Sequence, residues 1–282
     1  MESILSANPP DVSVIEPSRR WRGLAVRELW TYRSLVASLV LRQLQLRYAQ
    51  SVLGVGWSVV RPLISAVVLT IVFGQFARLP SDGHPYALFS LAGIVPWTYF
   101  SIALTGASES MAGNASIITK VYFPRFALPL ASVLAPLVEL VIGGILVLAM
   151  AAWFGVAPTW AHVWIIPFLI AVMALTALGV GCFVAAVDVQ YRDASRLVPF
   201  ALQLWMYASP IVYPMSMVPE RYRAIYALNP LATTTEVLRE IVLGAPVLEF
   251  RRIAMALTTS LLICAIGTIY FRNRERIFAD VV

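Results

Sequence analysis

VWIIPFLIAVMALTALGVGCFVAAV, residues 163–187, runs for 25 positions without a charged side chain. A helix needs about 20 predominantly apolar residues to cross a bilayer core, because each backbone amide in hydrocarbon must find its hydrogen-bond partner within its own segment. The stretch therefore reads as a spanning helix. Five others match it in length and composition, at residues 57–77, 87–108, 126–154, 197–217 and 253–271. Over the whole chain 60% of residues are hydrophobic and 13% charged, far from a soluble globular composition. A soluble core would have to hide all six segments from water within 282 residues. The expected fold is all-α and integral to the membrane, with six transmembrane helices in a permease-like domain over residues 51–272.

Basic residues set the orientation, since short loops held in the cytoplasm carry the Lys and Arg excess. Arg19, Arg20, Arg22, Arg27, Arg33, Arg42 and Arg47 precede the first block, Lys120 and Arg125 stand in the second connection, and Arg272, Arg274 and Arg276 follow the last. With six crossings all of these share one side, so both termini are expected in the cytoplasm. The connection 217–252 is mixed, its arginines offset by Glu220, Glu236, Glu240 and Glu249. The net charge of +6 then reflects topology and anionic lipid, not nucleic acid. Residues 1–20 hold Glu2, Asp11, Glu16 and the pair Pro9-Pro10, which suits a disordered tail better than a cleaved signal. Residues 273–282 form a second cytoplasmic tail.

Several segments are not simple crossings. Residues 21–50 are helical in pattern but too charged to span; Val40, Leu41, Leu44 and Tyr48 share one side, with Gln43 and Arg47 breaking it, so an amphipathic interfacial helix is expected. A reversing loop follows, with Leu53, Gly54 and Trp57, and then Arg61-Pro62. Arg61 has two readings, contact with an anionic substrate or snorkelling to lipid phosphate. Residues 113–125 read as a short hairpin closed by Pro124, presenting Ile117, Ile118, Val121, Tyr122 and Phe123 to a partner surface or to the lipid interface. Between blocks five and six, Pro210, Pro214, Pro219, Asn229 and Pro230 break the chain into two short external helices, with Gly244 as a C-cap. These helices are candidates for an external gate.

The chemistry of an enzyme is thin. His84 and His162 are isolated, Asp188 and Asp193 fit a solvated turn with Arg192 and Arg196, and Lys120 lies outside any Gly-Lys-Ser/Thr loop, which excludes an ATPase within this chain. Cys182 and Cys264 sit in apolar blocks, and no metal site or disulfide is suggested. Glu139 is the intramembrane acid, open to a functional or a bundle-forming role. The aromatics Trp97, Tyr99, Phe100, Trp205, Tyr207 and Tyr213 could stack on sugar rings in a channel or form interfacial belts.

Taken in order, the arginine-rich in-plane helix, Leu53-Gly54 with Trp57 and Pro62, Phe123-Pro124-Arg125, Arg192-Asp193, Ser209-Pro210, Tyr213-Pro214, Asn229-Pro230 and Phe278-Ala279-Asp280 resemble the ABC-2 family of transporter permeases, closest to exporters of O-antigen, capsule and teichoic acid. The resemblance covers the chain from about residue 21. It implies a homodimer in the bacterial inner membrane bound to two ABC ATPase subunits that carry the ATP and Mg, with no cofactor in this chain. Ser116, Lys120, Tyr122, Phe123 and Arg125 would dock on the ATPase. Leu53, Gly54, Trp57 and Arg61 would form the cytoplasmic entrance, and Pro219, Asn229 and Pro230 the external gate. The substrate would be a polysaccharide on an undecaprenyl diphosphate carrier. A drug-type exporter of the same superfamily and a membrane glycosyl- or acyltransferase are the alternatives.

Overall fold

The computed structural model describes residues 30–49, 51–118, 123–191, 193–244 and 249–275. The tail 1–20, residues 21–29, and most of 273–282 lie outside them, as do Lys120, Tyr122, Arg192 and the Ser116 side chain. Within the described residues the regular structure is helical throughout: α1 Arg33–Tyr48, α2 Trp57–Leu69, α3 Tyr86–Ser108, the single turn α4 Ala115–Ile118, α5 Ala127–Leu134, α6 Leu137–Trp153, α7 Ile166–Asp188, α8 Ala194–Tyr207, α9 Glu220–Leu228, α10 Pro230–Leu243 and α11 Phe250–Arg274.

Among the described residues, five helical stretches are long and apolar enough to cross a membrane: Gly54–Phe76, Tyr86–Ser108, Ala127–Trp153, Trp160–Asp188 and Phe250–Arg274. The chain alternates between two faces of the bundle. At one, here termed basal, Gln43 on α1 reaches Ser132 on α5 at 3.0 Å, the Arg125 backbone N–H donates to the Glu275 carboxylate at 3.3 Å, and Arg274 reaches Gln190 at 3.4 Å. At the opposite, distal face, the Thr159 N–H donates to the Ile241 carbonyl at 2.8 Å and Arg252 on α11 pairs with Glu236 on α10 at 2.7 Å.

α3 is the most buried of the spanning helices and the centre of the packing. α7 makes its most extensive contact with α11 and its next with α3. Lipid tails are as apolar as leucine, so helices in a membrane gain little by burying large apolar side chains and associate instead where small residues let backbones approach. α7 and α11 meet in this way. A β-carbon on Gly179 would lie 2.6 Å from the Cα and N of Cys264, and one on Gly267 would strike the Gly179 carbonyl. Beside this contact Thr176 and Ser260 join hydroxyls at 2.8 Å, each also bonded to its own helix at the residue four earlier.

Three expectations change here. Block five, expected over 197–217, is α-helical only over Ala194–Tyr207, with a single 3-10 turn at Met215–Met217. At 1.5 Å per residue its 14 residues span about 21 Å, short of the hydrocarbon core. Beyond Tyr207 the chain turns, and Ser209 to Val212 are buried among other helices. In α1 the packed side is set by Val36 and Leu39, and Leu41 is 59% exposed. The residues that spoil its apolar stripe, Gln43 and Arg47, are those that bind α5 and α6. Asp188, expected in a solvated turn, is buried and accepts the Ser195 N–H at 2.9 Å, satisfying an early amide of α8. The exposed pair is Arg196 with Asp193.

Gly267→Ala is expected to wedge α7 from α11 and cost about 3 kcal/mol, read as a lower melting temperature of the detergent-solubilised protein. Gly144→Ala, on a part of α6 with open space around the new β-carbon, is the matched control and should be neutral or slightly stabilising.

Candidate functional site

Two clusters of polar side chains stand at opposite ends of the bundle. At the basal end, α1 approaches the start of α6 just after the helix break at Ala135-Pro136. Arg47 donates to Glu139 Oε1 at 2.7 Å, Tyr48 donates to the same oxygen at 3.2 Å, and the Tyr48 hydroxyl also meets Ser58 on α2 at 3.1 Å. The Tyr48 hydroxyl, between Glu139 on α6 and Ser58 on α2, thus ties three helices. The group lines a small polar pocket of about 120 Å³ with Ser51, Gly54, Trp57 and Arg61. The Arg61 guanidinium sits 5.5 Å from the Trp57 ring centroid. Gly54 turns the chain with φ at 51°, a left-handed conformation that favours glycine. Two guanidinium groups therefore face one carboxylate in this pocket, a charge balance that suits an anion. Of the expected entrance residues, Gly54, Trp57 and Arg61 line it; Leu53 is half-exposed beside it.

At the distal end Asn229 is the hub. Its side-chain oxygen accepts from the Trp205 indole N–H at 3.1 Å and from the Leu231 N–H at 3.1 Å, capping α10, while its amide donates to Ser209 Oγ at 2.9 Å. Pro230 fills the first turn, where its missing N–H costs nothing, and Gly244 closes the helix with φ at 78°. α9 has no buried residue, whereas α10 is buried along most of its length. Between α9 and the preceding turn lies an open cleft of about 390 Å³ lined by Tyr213, Met217, Val218, Pro219, Tyr222, Ile225 and Tyr226. The Tyr213 and Tyr226 hydroxyls meet at 2.7 Å, and burial together with that bond pushes the Tyr213 phenol up.

Arg239 on α10 was not singled out by the sequence, where it resembles a surface partner for Glu236. It is buried. Its guanidinium donates to the Pro210 carbonyl at 3.0 Å and the Ile211 carbonyl at 2.7 Å, and lies 3.8 Å from the Phe89 ring centroid. Burial lowers it to about 10, which still leaves a cation at neutral pH. Tyr86 completes the set by donating to the Val212 carbonyl at 2.6 Å.

The aromatic set divides. Trp97, Tyr99 and Phe100 are packed inside this chain, with Phe100 edge-on to Trp205 at 5.2 Å. Tyr207 is exposed, and Tyr213 is half-buried in the distal cleft. In the basal hairpin Phe123 and Ile118 are buried in the helix packing, against the expectation that they stand exposed, because the chain enters α5 beside Phe126 and Phe271. Arg125 binds the Glu275 carbonyl through its guanidinium. No signal in the sequence separates an inward from an outward aromatic in so short a connection.

The family model described as ABC-2 type transporter matches residues 34–243. The chain belongs to the ABC-2 type transporter family. An O-antigen export system permease protein of Myxococcus xanthus is 33% identical over 210 residues, 74% of this chain and 80% of that protein. A protein of the same description from Klebsiella pneumoniae is 27% identical over 248 residues, 88% of this chain and 95% of its own length. The polysialic acid transport protein of Escherichia coli is 23% identical over 246 residues, 85% and 93% respectively. The family match thus runs from α1 through α10 and takes in both polar ends.

Glu139→Leu is expected to strand the half-buried Arg47 and cost about 2 kcal/mol, with Arg47→Met/Glu139→Leu together costing less than either change alone; a double-mutant cycle on thermal unfolding measures the coupling. Glu240 gives a pH test. Burial first, then Glu236 and Glu249, raise its carboxyl to about 7 against the opposing Arg252 and Arg239. The folded state holds this proton where the unfolded chain has lost it, so stability falls as pH rises from about 4.5 to about 7. Glu240→Gln should remove that part of the slope in melting scans across this window.

Proposed function

We propose that the chain is the permease subunit of an ATP-driven exporter that carries an undecaprenyl-diphosphate-linked polysaccharide from the cytoplasmic to the external side of the bacterial inner membrane. The observation that carries this reading is a helical membrane bundle aligned over 95% of the length of an O-antigen export permease. ATP hydrolysis belongs to separate subunits, since the chain has no Gly-Lys-Ser/Thr loop.

The basal face is the cytoplasmic one, with both termini on it, and the distal face is external. Six crossings follow if α8 and the turn after it together make the fifth. The diphosphate of the carrier meets the basal pocket, where Arg61 and Arg47 supply charge-assisted donors and Trp57 sits at headgroup depth. Two copies enclose the path. α2 and α8 present unpacked apolar faces, Ile64, Val67 and Val68 on one and Leu197, Phe200, Leu204 and Tyr207 on the other. α3, expected to contribute to the wall, is mostly enclosed by its own chain. The sugar chain leaves past the distal tyrosines, whose rings offer flat apolar faces and hydroxyls to replace lost water contacts. ATPase docking falls to α1 and the basal hairpin around Lys120 and Tyr122.

Depletion of the protein is expected to leave lipid-linked polymer in the inner leaflet. Normal export with no accumulation would favour a small-molecule substrate. Tyr122→Ala should abolish co-purification of the ATPase while the permease still inserts; full retention of the partner would remove the hairpin from the docking surface.

A further inference from the structure

The turn after α8 poses a physical problem that Arg239 solves. Pro210, Ile211 and Val212 are buried, and their carbonyls face no helical partner, a costly state in apolar surroundings. The donors come from two other helices, Arg239 on α10 and Tyr86 at the start of α3. Room for the guanidinium comes from Gly93. A β-carbon there would run into Arg239 Nη2 and lie 2.7 Å from the Ile211 carbonyl oxygen. Phe89, one turn earlier on α3, supplies the aromatic face under the cation. A methionine or leucine would fill this volume without the penalty of a buried charge, so a cation here is explained by the carbonyls it holds.

The turn it holds is the root of the distal cleft. From Val212 the chain runs into Tyr213 and then α9, which has no buried residue and contacts the bundle through α10 and α11. α10 is packed against α3, α7 and α11. α10 thus grips the near end of the segment from Tyr213 to Asn229, which is held further on by the Ser216 hydroxyl donating to Asp82 at 2.8 Å and by the Asn229 contacts.

We infer that Arg239 is a positioning residue for export, the fixed point that holds the Pro210–Val212 turn against α3 so that Tyr213 and α9 stand at the external mouth of the path. This rests on the export reading above, and the test separates the two. Ile211, fully buried, is replaced by cysteine in a permease whose Cys182 and Cys264 are changed to alanine, co-expressed with its ATPase. A membrane-impermeant maleimide then reports whether the turn is held, independently of any substrate. With Arg239 present the cysteine should stay unlabelled. Arg239→Met and Gly93→Ala should each expose it and lower polymer export roughly tenfold while ATP turnover persists, and Arg239→Lys, which keeps the cation but one donor group, should restore part of both. If Arg239→Met fails to insert, Gly93→Ala and Arg239→Lys decide. An unlabelled cysteine in every inserted variant overturns the grip, and labelling with unchanged export overturns its role in transport. A wild type that exports no lipid-linked polymer overturns the proposed function and leaves the labelling result standing.

Discussion

Carbonyl groups that leave a helix inside apolar surroundings must be given other donors, and that constraint organises the distal half of this protein. The broken end of the fifth apolar block presents the carbonyls of Pro210, Ile211 and Val212 to the interior, and Arg239 and Tyr86 bind them. Much else follows from that arrangement. α10 must lie close to α3 for its guanidinium to reach, Gly93 must lack a side chain, and Asn229 must cap α10 where Trp205 and Ser209 can share its amide. The break after α8, which a hydropathy argument runs straight through, is stable because tertiary donors replace helical ones.

The two polar ends use charge differently. At the basal end Glu139 joins α6 to α1 through Arg47 and Tyr48, and Tyr48 joins α1 to Ser58 on α2, in a pocket that keeps a second guanidinium, Arg61, on its wall. At the distal end the cation is enclosed and spent on backbone, while Glu236 and Arg252 pair between α10 and α11. The first arrangement leaves a guanidinium on the wall of an open pocket; the second encloses its guanidinium against backbone carbonyls and the Phe89 ring.

The spanning helices were legible in residues 163–187 and their counterparts because hydrocarbon imposes length and apolarity locally. Pro219, Asn229-Pro230 and Gly244 were legible for a similar reason, since cap and proline effects act within a turn. The fifth block was legible only in part: Pro210 and Pro214 mark a local break inside it, but the donors that make that break stable lie on a residue 28 and 29 positions away. The role of Gln43 and Arg47 was visible as two faults in an apolar stripe, though their partners, Ser132 and Glu139, lie about 90 residues on. Phe123 was misjudged because an aromatic in a short connection carries no mark of the side it faces.

The sequence by itself determined a membrane protein of several apolar helices, a basic end, no nucleotide-binding loop, and membership of a family whose motifs recur in order. Those properties are sums or local patterns, and each residue contributes without knowing its neighbours in space. The tertiary structure decided which polar residues meet: Arg47 with Glu139, Asn229 with Trp205 and Ser209, Arg239 with the carbonyls past α8. A buried polar group is tolerable only with a partner, and the partner's position is set by helix packing at contacts such as Gly179 against α11, which no local pattern encodes.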